Sequence, residues 1–253
     1  MKIGIFAGGF KPFTTGHMSK LALALQENDR VVLYYGMASR TKGSGFHYTK
    51  EMSVKIFDIV KVALERTYGN KLIIQNPLPT PIVAVFSFIG AVKDGADTSK
   101  APLSSFGIDP ATVEKITVYG DAESLLPFTA DVIGKVSRSG EDKEQKYYGN
   151  MAKTGGLVFD NALTPAGGPD RMVAAMTACG YADDASLLDK INVRGSQIRS
   201  IAQSCDEKEM AKFLPNFLNS KEVRDIIDIM QGHSRQGEVL ESLIRSYICE
   251  VIR

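Results

Sequence analysis

The chain has 253 residues, with 30 Lys and Arg against 29 Asp and Glu, a formal net charge of +1. That length allows one large α/β domain, or one domain with a helical appendage. The charge balance argues against a protein that coats polyanions, because nonspecific nucleic-acid binding rests on excess positive charge.

Three cysteines, Cys179, Cys205 and Cys249, match no zinc-binding spacing, and an odd number does not suggest a disulfide framework. No basic leader precedes an apolar run at the N-terminus, and the longest apolar run, residues 82–92, is too short to span a bilayer. A cytoplasmic protein with no membrane partner is expected.

Residues 2–7 (KIGIFA) read as a buried parallel strand. Met18, Leu21, Ala22 and Leu25 then recur at helical spacing. Residues 30–36 (RVVLYYG) read as a second strand and 38–45 as a Gly-containing polar loop. A helix is predicted over 49–68, with Thr49 as N-cap. Residues 71–76 (KLIIQN) form a third predicted strand, 80–92 a helix, 94–110 a loop and 115–120 (KITVYG) a fourth strand. Beyond residue 137 the pattern predicts short strands at 157–159 and 188–193, and helices at 170–179, from Ser196, at 207–218 and over 221–252. Strands alternating with helices imply a Rossmann-like doubly wound parallel sheet, with ligands beyond the carboxyl ends of the strands. The main α/β domain is expected over 1–218. Residues 219–253 would be a helical extension whose apolar Val239, Leu240, Leu243, Ile244, Ile248 and Val251 pack on the domain or on a second copy.

On that rim falls GGFKPFTTGH, residues 8–17. Glycines after a strand let a ligand approach the backbone. The following helix offers unpaired N–H groups and the positive end of its dipole, which suit a phosphate. Thr14 or Thr15 can cap that helix. His17 sits in its first turn, where a cation is disfavoured unless an anion is near. Neither the Gly-Lys-Ser/Thr of a Walker loop nor the Gly-x-Gly-x-x-Gly of a dinucleotide fingerprint is present. A second segment, INVRGSQIR over 191–199, again places a hydroxyl, Ser196, and a cation, Arg199, at a helix start. Two helix starts of this kind, far apart in sequence, suit one shared polyphosphate.

GGFKPFTTGH resembles the first signature of the HxGH nucleotidyltransferase superfamily, with Thr14-Thr15-Gly16-His17 similar to the threonine version found in phosphopantetheine adenylyltransferases. Gly195, Ser196 and Arg199 resemble the second signature, Ile-Ser-Ser/Gly-Thr-x-x-Arg, which opens a helix after the last strand; Arg194 departs from it. The resemblance implies transfer of a nucleotide from ATP, or from CTP, to a phosphate-bearing small-molecule acceptor, with Mg2+ accompanying the triphosphate. A nucleotide-binding regulator without activity is the alternative. By the same resemblance His17, Thr14, Lys11 and Arg199 would be catalytic. Gly8, Gly9, Phe10, Gly16, Asp121, Gly195 and Ser196 would bind the nucleotide, and Arg40 and Lys42 would contact the acceptor. No residue is expected to be a dedicated metal ligand. The segments 94–110 and 137–166 are expected to shape the acceptor pocket.

Overall fold

A computed structural model describes residues 1–37, 47–78, 81–120, 157–158, 168–182, 185–193, 195–203 and 206–232. The elements in chain order are β1 (Lys2–Gly8), α1 (Thr15–Glu27), β2 (Arg30–Gly36), α2 (Lys50–Tyr68), β3 (Leu72–Leu78), α3 (Pro81–Asp94), β4 (Lys115–Tyr119) and β5 (Leu157–Val158). Helices α4 (Gly168–Ala178), α5 (Ala185–Asn192), α6 (Gly195–Gln203), α7 (Glu207–Lys212) and α8 (Ser220–Gln231) follow.

The five strands form one sheet in the order β3-β2-β1-β4-β5, and every neighbouring pair is parallel. Parallel strands covered on both faces read as near-continuous apolar runs, which is why β1, β2 and β4 stand out in the sequence. Alternation along each strand divides the core in two. Ile3, Ile5, Val32, Tyr34, Ile116 and Val118 face α3, whereas Phe6, Val31, Leu33, Tyr35 and Tyr119 face α1, α2 and the later helices. This is the doubly wound α/β architecture expected from the sequence. Its strand order reverses between β1 and β4, so the crevice for a ligand opens beyond their carboxyl ends.

Helix starts follow the local chemistry. Thr49 Oγ1 accepts the Met52 N–H at 3.1 Å to start α2. Asn219 and Glu222 form a reciprocal capping box at the start of α8. From α8, Ile226, Ile227 and Met230 enter the same core as α1 and α2, and Arg66 of α2 pairs with Glu222 at 2.7 Å. No helix among the described residues is long and apolar enough to cross a membrane.

Four expectations are corrected. The strand predicted over 188–193 is the helix α5, because its apolar residues recur four apart: Leu187 and Ile191 are buried and Leu188 is exposed. The second signature therefore follows a helix. The helix predicted over 207–218 stops at Lys212, three residues before Pro215. The helix expected from Ser196 opens one residue earlier, at Gly195, so Ser196 is its second residue. The loop over 94–110 does not approach the carboxyl rim; Ala101, Leu103, Phe106 and Ile108 pack under α3, and Arg30, which opens β2, donates to the Gly107 carbonyl at 3.1 Å. It joins the lower end of α3 to the lower end of β4 and so stays at the amino ends of the strands. The fourfold-spaced apolar tail after Gly232 and most of 137–166 lie outside the described residues.

Candidate functional site

β1 ends at Gly8, paired in register with Tyr35 of β2, and the chain turns over the top of the sheet into α1. Gly8 is packed so closely that a Cβ there would lie 2.6 Å from the Phe10 ring, whereas Gly9 is exposed. A Cβ on Gly9 would lie 3.4 Å from Lys11 Nζ, so the ammonium folds back beside this exposed backbone. Lys11 is itself buried.

Thr14 caps α1, and His17 completes a capping box with it. The Thr14 N–H donates to His17 Nδ1 at 3.0 Å, and Thr14 Oγ1 lies 2.9 Å from the same nitrogen. A backbone N–H can only donate, so Nδ1 is an acceptor and the neutral ring carries its proton on Nε2. The arrangement therefore holds the imidazole as a hydrogen-bond donor through Nε2. The ring is also set by aromatic contacts, edge-on to Phe10 with centroids 5.0 Å apart and tilted on Phe13 at 5.6 Å.

The second signature folds directly against the first. Arg199, in the second turn of α6 and only 4% exposed, donates through Nη1 to the Lys11 carbonyl at 3.0 Å. A Cβ on Gly195 would lie 3.2 Å from that carbonyl and 3.3 Å from Arg199 Nη1. A Cβ on Gly16 would come within 2.7 Å of the Ile191 carbonyl oxygen and 2.9 Å of that of Val193. The close approach of two backbones thus requires a glycine at 16 and leaves a tight fit at 195. Ser196 is half-buried in the first turn of α6.

The structure brings Gly8, Gly9, Phe10, Lys11, Thr14, Gly16, His17, Gly195, Ser196 and Arg199 into one region at the carboxyl ends of the central strands. Arg40, Lys42 and Asp121 lie outside the described residues, as does Arg194. Among the described residues no group of three His, Cys, Asp or Glu could hold a metal ion.

Residues that the motif did not point to also hold this loop. The Tyr35 hydroxyl donates to the Phe10 carbonyl at 2.6 Å, and the Phe213 carbonyl accepts both the Thr15 N–H at 2.8 Å and the Thr15 hydroxyl at 3.0 Å. Strand alternation does put Tyr35 on the same face as Leu33, toward α1. Nothing in the sequence ties Phe213 to Thr15, because a backbone carbonyl carries no residue-type signal. Beside Tyr35 stand two more buried hydroxyls, Tyr48 and Ser53, with no hydrogen-bond partner of good geometry among the described residues. Tyr35, Ser53 and the Arg199 guanidinium are nonetheless close enough to act on the Tyr48 hydroxyl electrostatically, while burial, the larger effect, pushes its pKa well up.

No protein-family model and no curated relative matches the sequence. Among solved structures the chain is similar to the Plasmodium falciparum nicotinic acid mononucleotide adenylyltransferase complexed with NaAD. The identity is 10%, the match covers 90% of this chain and 95% of that one, and the TM-score is 0.39. At that level the likeness carries no weight. The fold rests on the strand order above and the site on its own geometry.

Proposed function

We propose that the protein is a nucleotidyltransferase that moves AMP from ATP to a phosphate-bearing small molecule and releases pyrophosphate. The observation that supports it most is the meeting of two signature segments 188 residues apart, through Arg199 and the Lys11 carbonyl. Donors and cations collect there, and the Thr14 hydroxyl that touches His17 Nδ1 serves as the cap of α1.

That inventory suits attack by a group that is already an anion. A phosphate oxygen of the acceptor forms a bond to the α-phosphorus, and the bond to the bridging oxygen toward the β-phosphorus breaks with its electron pair on pyrophosphate. No general base is needed, so catalysis reduces to positioning and charge stabilisation. His17, whose ring proton is on Nε2, would donate to an α-phosphate oxygen or to the leaving bridge. The Gly9 and Phe10 backbone would carry the nucleotide. Ser196 and Arg199 would hold the β- and γ-phosphates, and Lys11 would balance charge beside Gly9. Asp121 would face the nucleotide, and Arg40 and Lys42 the acceptor. Mg2+ would enter as part of the triphosphate substrate.

The test is pyrophosphate release from ATP or CTP in the presence of a mixture of phosphorylated acceptors. Acceptor-dependent release, faster with ATP, is expected. Faster release with CTP would make the protein a cytidylyltransferase. Nucleotide binding without release would identify a regulatory binder, and neither binding nor release would end the nucleotide reading altogether.

A further inference from the structure

We propose that Tyr35 is a positioning residue of this site: its hydroxyl sets the Phe10 backbone and, through the Phe10 ring, the place of the His17 imidazole. The proposal takes its catalytic readout from the nucleotidyl-transfer reading, while its geometric readout does not depend on it.

Tyr35 lies on β2 with its side chain completely buried. Its ring packs against Phe57, with centroids 4.6 Å apart, and against Phe10 at 5.1 Å. A phenylalanine would fill that space equally well, so the packing does not explain the hydroxyl. Burying a hydroxyl is unfavourable unless it is hydrogen-bonded. Here it donates to the Phe10 carbonyl at 2.6 Å. Burial also drives its pKa well above the ordinary phenol value, with the neighbouring Tyr48 adding to the effect, which keeps the proton on the hydroxyl that donates.

The adjacent residue gives a built-in contrast. Tyr34 points to the opposite face, under α3, and its buried hydroxyl has no hydrogen-bond partner among the described residues. Tyr35, one position along, is the tyrosine that reaches the loop. The Phe10 and Lys11 carbonyls are consecutive, and each is held by a side chain from a different element, Tyr35 from β2 and Arg199 from α6. The first fixes the Phe10–Lys11 peptide, one residue beyond the exposed Gly9. The second ties the same loop to α6. The His17 ring then leans edge-on against Phe10, so displacement of Phe10 is transmitted to the imidazole.

The experiment compares wild type with Tyr35→Phe, with 4-fluorophenylalanine installed at position 35, and with Tyr119→Phe. The fluorinated side chain fills the hydroxyl's space without donating, which covers the case in which Tyr35→Phe does not fold. Tyr119→Phe removes a comparable buried hydroxyl, one bonded to Glu27 at 2.7 Å near the amino ends of the strands. Only three histidines are present, so the His17 ring resonances can be assigned by comparison with His17→Gln. The expected result is that both changes at position 35 shift or broaden the His17 resonances. They should also lower kcat by about ten- to a hundredfold at unchanged acceptor KM. Tyr119→Phe should lower the melting temperature and leave His17 and kcat as they were. His17 resonances identical to wild type in every folded variant at position 35 would overturn the proposal, whatever the activity. If wild type releases no pyrophosphate, the transfer reading falls, and the His17 resonances still decide the role of Tyr35.

Discussion

Arg199 Nη1 donates to the Lys11 carbonyl at 3.0 Å, joining the start of α6 to the loop that follows β1. The guanidinium is buried, so this bond is made where water cannot replace it. One residue thus serves as a fastener between the two signatures and, in the proposed reaction, as a cation for the triphosphate.

Replacing it should be felt in both roles. Lysine keeps the charge but lacks the planar fork that can hold a carbonyl and a phosphate together. Arg199→Lys should destabilise the fold by about 1–3 kcal/mol through the unsatisfied Lys11 carbonyl. It should also weaken ATP binding. Chemical denaturation and calorimetric titration with ATP measure the two effects separately. Unchanged ATP affinity would remove Arg199 from the phosphate site and leave it only as a fastener.

His17 also has two duties with separable signatures. His17→Ala removes the acceptor for the Thr14 N–H and half of the capping box, at a cost of about 1 kcal/mol. It also removes the Nε2 donor, so turnover should fall by about a hundredfold or more at full folding. Steady-state pyrophosphate release beside a thermal melt distinguishes these losses. A variant that loses stability and keeps its turnover would leave His17 as a cap alone.

The sign of a Gly→Ala change should differ between two helices. In α1 a methyl on Gly16 would press on the Ile191 and Val193 carbonyls, which are backbone atoms and cannot swing aside. Gly16→Ala should therefore cost about 1–3 kcal/mol and loosen the junction between the signatures. In α3 a Cβ on Gly90 would meet nothing within 4 Å, so Gly90→Ala should stabilise by roughly 0.5–1 kcal/mol. Urea denaturation of both variants reads the contrast directly.

Acid should weaken the contact between α2 and α8. Hydrogen bonding from Arg66 is the largest influence on Glu222 and holds its carboxyl below the ordinary 4.5. A carboxylate with a depressed folded-state value adds stability above its unfolded value and loses it as pH falls through the folded one. Wild type should accordingly lose melting temperature below about pH 4.5, and Glu222→Gln should be less stable at neutral pH with a shallower acid slope. Parallel slopes for the two proteins would show that this pair contributes nothing measurable.

How far the sequence could be read followed the physics of each segment. β1, β2 and β4 were legible because strands buried on both faces lose the mixed pattern of surface elements. α5 was misread as a strand because LLDKINV holds apolar residues at both ends, and only the burial of Leu187 and Ile191 against the exposure of Leu188 reveals the helical period. In the site, His17, Thr14, Gly16, Gly195 and Arg199 were legible as residue types in two short motifs. The contacts that hold the region were not, because Tyr35, Arg199 and Thr15 bond to the carbonyls of Phe10, Lys11 and Phe213, Gly16 lies against those of Ile191 and Val193, and every residue has a carbonyl. Tyr35 lay in plain view within RVVLYYG, where the alternation gives its face but not its partner.

The most direct test of the account is a titration of isotope-labelled protein with magnesium ATP, following the His17 ring and the Arg199 guanidinium by NMR. Both side chains should respond to one ligand, along curves that fit a single Kd, and the Arg199 response should be lost when ATP is replaced by AMP. Movement of only one of the two, or two different Kd values, would mean that these cations do not share a triphosphate.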